Sequence, residues 1–351
     1  MVGPDPSGMG GISRVARLWQ LGGFFSDFQI EYISSVAGGA GKLRSLIPAF
    51  LRFTYACLIG GRTVYIHTAS YNSFYRKCLF MVPAVLMRRR LIIHIHPSYF
   101  SQFLSSLGGA KKFMARFLLS RAHAFIVLTP AIKEDMSRLF PGMPIHVLNN
   151  PIDIKGMENS SNIERRPNHV LFLGWYMKRK GVYELVDALG ILRKENIEVR
   201  ADFYGTKEIE ELRSYVAACG LSDVVRINGW IGEEDKLKAL YSCTMLVLPS
   251  HTEGVPNVIL EAMATRTPIV STLVGGLRDI LRDGENAVIA KPENAEDLGQ
   301  RIRMVLQDDT LAGRIAETAY REACDKYDLP VVKIRFKMIL DSICNQRMAA
   351  E

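Results

Sequence analysis

The stretch Pro249-Ser250-His251-Thr252-Glu253-Gly254-Val255-Pro256-Asn257-Val258-Ile259-Leu260-Glu261-Ala262-Met263-Ala264 decides how this chain is read. It follows the apolar run 245–249, turns through Gly254 and Pro256, and takes up helical periodicity at Asn257. An apolar strand, a turn and a helix in that order form the corner of a doubly wound α/β sheet, where ligands bind beyond the carboxyl ends of the strands. Backbone N–H groups in the first helical turn make an anion site, which marks Gly254, Asn257 and Val258 as candidate ligand contacts. Glu253 precedes the helix and Glu261 lies one turn beyond Asn257, so both carboxylates are expected on one crevice edge. Beside a phosphate site, carboxylates suit the paired hydroxyls of a sugar or ribose. On spacing alone, two glutamates eight apart are weak evidence, and a solvated helix face is the better reading.

Outward from this corner the pattern repeats. Short β-branched runs alternate with helix-period segments twice over, with strands expected at 29–33, 63–67, 91–95, 124–128 and 145–148, then at 169–173, 199–204, 224–227, 245–249 and 269–272. Such alternation predicts two parallel sheets covered on both faces. The 351 residues fit two domains. The boundaries expected are 1–160, 161–328 and a C-terminal helix and tail, 329–351, crossing back to the first domain, with the polar segment 153–167 as linker. Only Met1 and Val2 precede the loop that opens at Gly3, so the first strand is expected to be truncated.

Charge divides the halves. Residues 1–160 hold 18 Lys and Arg against 7 Asp and Glu, a net of +11, while the remainder holds 26 against 29, a net of −3. That asymmetry points the first half toward a polyanionic partner. No uncharged apolar run reaches the roughly 18 residues of a spanning helix; the longest, 78–87, has ten. The amino terminus shows no signal-peptide pattern. Six well-separated cysteines fit neither a zinc framework nor dense disulfides, which suggests a cytoplasmic protein with reduced thiols. No Asp-x-Asp pair and no His/Cys cluster suggests a metal site.

The opening stretch resembles the Glu-x7-Glu signature of the retaining glycosyltransferases of family 4, which have the GT-B fold of two facing Rossmann-like domains. Other segments follow that family's order. Phe172-Leu173-Gly174-Trp175-Tyr176-Met177-Lys178-Arg179-Lys180-Gly181 is similar to its first C-domain loop, and Asn228-Gly229-Trp230 to the loop against the nucleobase. Gly10-Gly11-Ile12 resembles the glycine loop near the donor phosphate, and His94-Ile95-His96 a strand end whose second His reaches the donor sugar. The resemblance implies a glycosyltransferase using a UDP- or GDP-linked sugar as co-substrate, with no further cofactor and no metal. It casts Glu253 and His96 as catalytic residues, Glu261 as the ribose contact and Lys180 as the diphosphate contact. Gly10, Gly11, Asn228, Gly229, Trp230, Gly254, Asn257 and Val258 complete the donor site.

Residues 67–77 are similar to a segment of bacterial exopolysaccharide transferases, which extend saccharides on polyprenyl diphosphate. Arg76, Lys77, Lys111, Lys112 and Arg116 are accordingly candidate acceptor or membrane contacts, with docking at the inner face of an anionic membrane and no nucleic-acid partner. Phe113, Met114, Phe117 and Leu118, at helical spacing, read first as core. The chain departs from the family at Trp175, where Arg is usual, leaving Lys178 or Arg179 to substitute, and at Pro97, where Gly is usual. Rival readings are another GT-B activity, epimerase or phosphorylase, and a catalytically idle membrane- or nucleic-acid-binding protein.

Overall fold

The computed structural model describes residues 1–35, 45–60, 63–158 and 163–345. The start of a helix expected over 43–57, part of the linker and the tail beyond 345 lie outside them. The chain divides into unit 1, Met1–Pro151 with the segment from Asp328 onward, and unit 2, Ile152–Tyr327. The division falls at Pro151 instead of residue 160. The last helix, Leu329–Asn345, belongs to unit 1: Leu329, Val332 and Phe336 join Trp19 and Phe24 in its core.

Unit 1 carries six strands: β1 (Val2–Gly3), β2 (Ile33–Ser34), β3 (Thr63–Thr68), β4 (Arg90–Ile95), β5 (Ala124–Val127) and β6 (Ile145–Val147). They lie in the order β2-β1-β3-β4-β5-β6, every neighbouring pair parallel. The interior strands are buried along nearly their whole length, which is why they read as unbroken apolar runs. Two-residue β1 still takes an interior place, pairing Val2 with Ile33 and Ile66. A cavity of about 700 Å³, lined by Met1, Ile30, Thr63, Tyr65, Phe336 and Leu340 among others, opens beside it. The strand order changes direction between β1 and β3, so the loops after those strands frame the ligand-binding edge. Helix Gly11–Leu21, which inserts the wholly buried Trp19, was not legible behind its glycine-rich start.

Unit 2 carries β7 (His169–Leu173), β8 (Arg200–Tyr204), β9 (Val225–Asn228), β10 (Met245–Leu248), β11 (Ile269–Thr272) and β12 (Val288–Ala290). Their order, β12-β11-β10-β7-β8-β9, is again all parallel. Counted from β7, this is the dinucleotide-fold order 3-2-1-4-5-6, whose switch point lies between β7 and β10. Strand β12 and the 18-residue helix Asp309–Lys326 were absent from the expected elements.

Candidate active site

The loops after β7 and β10 meet at the unit 2 switch point. The first runs from Gly174 through a 3₁₀ turn at Lys178–Lys180 to Gly181, where helix Val182–Lys194 starts. Gly181 has φ +68°, and a Cβ there would lie 2.0 Å from the carbonyl oxygen of Pro249. Only glycine meets both demands. The His251 N–H donates to the Arg179 carbonyl at 2.9 Å, tying the loops together. Because the chain bends there, the preceding Lys180 turns toward the β10 loop, and its Nζ reaches Glu253 Oε1 at 2.5 Å. Ser250 Oγ donates to the same oxygen at 2.7 Å. Glu253 is 7% exposed, and the Lys180 ammonium and Ser250 hydroxyl are among the groups that hold its carboxylate almost out of water.

Helix Asn257–Ala264 follows, with Pro256 at its N-cap position making no side-chain capping bond. The positive dipole end of this helix therefore lies at the end of the β10 loop. Glu261 stands on this helix, 1% exposed, and its Oε1 is 2.8 Å from Lys236 Nζ. The two glutamates thus have separate lysines. Lys236 escaped sequence reasoning because nothing in its acidic helix start, Glu233-Glu234-Asp235, marks it as a partner of Glu261. Ser250 escaped for the same reason, being one polar residue in a polar loop.

The remaining unit 2 candidates lie along the same edge. Tyr176 OH donates to the Asn228 carbonyl at 2.6 Å, and the Gly205 N–H donates to the Gly229 carbonyl at 3.1 Å. This joins the loops after β7, β8 and β9, leaving Trp230 half exposed. Gly276 N–H donates to the Glu253 carbonyl at 3.2 Å, bringing in the loop after β11. Trp175 keeps cations close although it replaces one: Arg179 lies 5.7 Å and Lys207 Nζ 5.8 Å from its ring. Such contacts are worth about 0.5–1 kcal/mol at exposed sites.

In unit 1, Gly10 precedes helix Gly11–Leu21 in extended backbone, and no atom lies within 4 Å of the place a Cβ would occupy. His96 follows β4 and is nearly buried, but it is not alone. His67 of β3 pairs in register with His94 of β4, so both face the same side as His96, two residues on. His67 Nδ1 and His96 Nε2 share a hydrogen bond of 2.9 Å, and the His94 and His96 rings stack at 4.1 Å. Tyr65 OH and His94 Nδ1 share another of 2.8 Å. Burial pushes the His96 imidazole down to about 3 and holds His67 and His94 well below the ordinary histidine range, so all three are neutral at pH 7. The expectation of no histidine cluster is corrected: β-sheet pairing brings together residues 27 positions apart in the chain, and spacing could not show it.

Two further expectations change. Lys77 is not a surface contact; it is 2% exposed, donates to Ser35 Oγ, and burial drives its ammonium well below the ordinary lysine range. Arg76 beside it is half buried. On helix Gly109–Ser120, Phe113, Met114 and Phe117 are exposed, not core, and only Leu118 of that set is buried. Lys111 and Arg116 are exposed there and Lys112 half buried.

Residues 153–322 match the family described as Glycosyl transferases group 1, and residues 23–155 match Glycosyltransferase Family 4. The lipopolysaccharide core biosynthesis glycosyltransferase LpsE of Rhizobium meliloti is 26% identical over 255 residues, 70% of this chain and 72% of that protein. The alpha-D-kanosaminyltransferase of Streptomyces kanamyceticus is 26% identical over 259 residues, 68% of this chain and 67% of its own length. Among solved structures, the fold is shared with sucrose-phosphate synthase of Thermosynechococcus elongatus, at TM-score 0.76 and 18% identity over 100% of this chain and 98% of that one. Anabaena HepE in complex with UDP and glucose shares it at TM-score 0.70 and 19% identity, over 91% and 88%. With two parallel-sheet units, matches spanning both of them and relatives that are glycosyltransferases, the chain belongs to the family 4-type glycosyltransferases of the GT-B fold.

Proposed function

We propose that this glycosyltransferase moves a sugar from a UDP- or GDP-linked donor to a saccharide or lipid-linked saccharide of surface-polysaccharide synthesis, with retention and without a divalent ion. The observation that carries the reading is the Lys180–Glu253–Ser250 cluster at the unit 2 switch point, beside the start of helix Asn257–Ala264. Lys180 and the first-turn amides around Asn257 and Val258 suit a diphosphate, whose departing charge they would stabilise as a preorganised set of donors. Arg179 and Lys207 around Trp175 stand where the usual arginine is missing. Glu253 is the grip for sugar hydroxyls, Glu261 for the ribose, and Trp230 with Asn228 and Gly229 for the base. His96 is the catalytic residue of unit 1. HepE, with UDP and glucose, and LpsE, of lipopolysaccharide core biosynthesis, support the donor and product classes. A panel of UDP- and GDP-sugars against saccharide and polyprenyl-diphosphate acceptors, read by mass spectrometry, tests this. Transfer from one donor with an α-anomeric product from an α-linked donor is expected. Sugar conversion or release without an acceptor would replace it with an epimerase or phosphorylase.

A surface of unit 1 supports the reading of a membrane-borne acceptor. Helix Leu46–Ile59 packs on helix Asn72–Leu86, which packs on helix Gly109–Ser120. The outer sides of all three expose large apolar residues at helical spacing: Ile47, Leu51, Tyr55 and Leu58; Leu79, Val82 and Leu86; Phe113 and Phe117. Exposed Arg88, Lys111, Arg116 and Arg121 accompany them. No helix among the described residues is long and apolar enough to cross a membrane. Apolar side chains interleaved with cations suit shallow insertion into an anionic bilayer. Flotation with anionic but not neutral liposomes, reversed by about 0.5 M salt, is expected; indifference to anionic liposomes would make the acceptor a soluble glycan.

A further inference from the structure

We propose that His67, His94 and His96 form a binding site for a late first-row divalent ion such as Zn²⁺. Their ligand nitrogens all lie within 4.8 Å of one another. The layout is one that a β-sheet supplies directly: two imidazoles at i and i+2 on β4 and a third in register on β3, all on one face. Three histidines with an open fourth position make a tetrahedral zinc site. Bonds of about 2.0–2.1 Å would require nitrogens roughly 3.4 Å apart, a closure that rotation of the rings can supply.

The orphaned atoms give the independent observation. His67 Nε2 and His94 Nε2 are buried and have no hydrogen-bond partner among the described residues. Buried polar atoms are rarely left so, and each such case asks for an explanation. The opposite nitrogen of each ring is engaged, His94 Nδ1 with the Tyr65 hydroxyl and His67 Nδ1 with His96. When Nδ1–H donates, Nε2 keeps a lone pair that no donor satisfies, the state in which an imidazole binds a metal. Neutral imidazoles select zinc, cobalt, nickel or copper over magnesium, calcium or manganese. No carboxylate belongs to the set, which leaves the charge of the ion uncompensated by the three imidazoles. The fourth ligand is therefore an anion, hydroxide or chloride. Recruiting His96 breaks its bond to His67, which holds the affinity to about the micromolar range, weaker than the dedicated structural zinc sites.

The full chain, stripped with EDTA and dialysed, is titrated with ZnCl₂, CoCl₂ and MgCl₂ by calorimetry and visible absorption. One zinc per chain, the visible bands of tetrahedral cobalt and no heat from magnesium are expected. His67→Phe and His94→Phe, whose rings suit a face already lined by Trp19, Tyr65 and Phe336, should each weaken zinc more than about a hundredfold. Circular dichroism and the melting temperature establish that they fold. Absence of stoichiometric zinc binding, or binding untouched in folded variants, overturns the site. Should the variants not fold, crystals of the unaltered protein soaked in zinc decide: anomalous density at the three imidazoles supports it, and density only elsewhere overturns it. One arm rests on the reading of His96 as catalytic: zinc then inhibits transfer and EDTA restores it. Zinc bound at the histidines without inhibition keeps the site and removes His96 from the reaction.

Discussion

Unit 1 and unit 2 are both six-stranded parallel sheets, yet they solve opposite problems. Among the described residues, sixteen large apolar side chains are exposed in unit 1 and three in unit 2, Trp175, Trp230 and Met304. That contrast places the demand for a partner surface on unit 1. Inside, unit 1 buries nitrogen bases with no carboxylate beside them among the described residues, the three histidines and Lys77, while unit 2 buries paired acids, Glu253, Glu261 and Glu322. A buried carboxylate with its cation is ready to hand that cation to a diphosphate. A buried neutral imidazole is ready for a proton or a metal. Shared topology sets where a ligand can bind, and the side chains at the strand ends set what it is.

Acid should separate the units most widely. In EDTA, the unfolded histidines take up protons below about pH 6.5, whereas the folded ones resist, His96 down to about 3. The unfolded state then binds more protons, so the stability of unit 1 is full above about pH 6.5 and falls by about 1.4 kcal/mol per pH unit for each imidazole below it. In unit 2, burial works to raise Asp202, but hydrogen bonds from His169 and Arg166 outweigh it and hold the carboxyl below its ordinary value. Its contribution is present above about pH 4 and is lost only below that. Urea unfolding followed by the buried Trp19 should therefore weaken steeply between pH 6.5 and 5. An unchanged midpoint across that window would dissolve the contrast.

The two glycine loops should part next. Gly181→Ala forces a left-handed Cβ onto the Pro249 carbonyl and should destabilise unit 2 by about 2–4 kcal/mol. Gly10→Ala enters extended backbone with open space around it and should shift stability by less than about 0.5 kcal/mol. Thermal melts of both variants check this; equal losses would make the loops equivalent.

Glu253→Gln retains shape and removes the charge that Lys180 faces. Transfer should fall roughly ten- to a hundredfold, about 1.5–3 kcal/mol, with nucleotide binding kept, as measured by turnover and calorimetry. Near-normal turnover would remove Glu253 from the site. At the unit 1 surface, Lys111→Glu/Arg116→Glu should weaken anionic-liposome binding by about 2 kcal/mol or more, roughly thirtyfold, while nucleotide binding by unit 2 is unchanged. Cosedimentation reads the first and calorimetry the second.

What the sequence by itself determined was whatever is local in the chain. The strand-to-helix corner at Pro249–Asn257, the Lys180-Gly181 pair and the alternation that makes both sheets parallel each span a few residues, and backbone sterics and periodicity act at that range. What only the tertiary structure decided was which distant residues meet. His67 joins His94 and His96 because β3 and β4 pair in one register, and a slip of one residue would send it to the other face. Lys236 finds Glu261 from another helix, Lys77 sinks toward Ser35 where an acceptor or membrane contact was expected, and Phe113 and Phe117 stand outside where helical spacing suggested core. An amphipathic pattern shows that a helix has two faces; only packing against its neighbours decides which of them meets water.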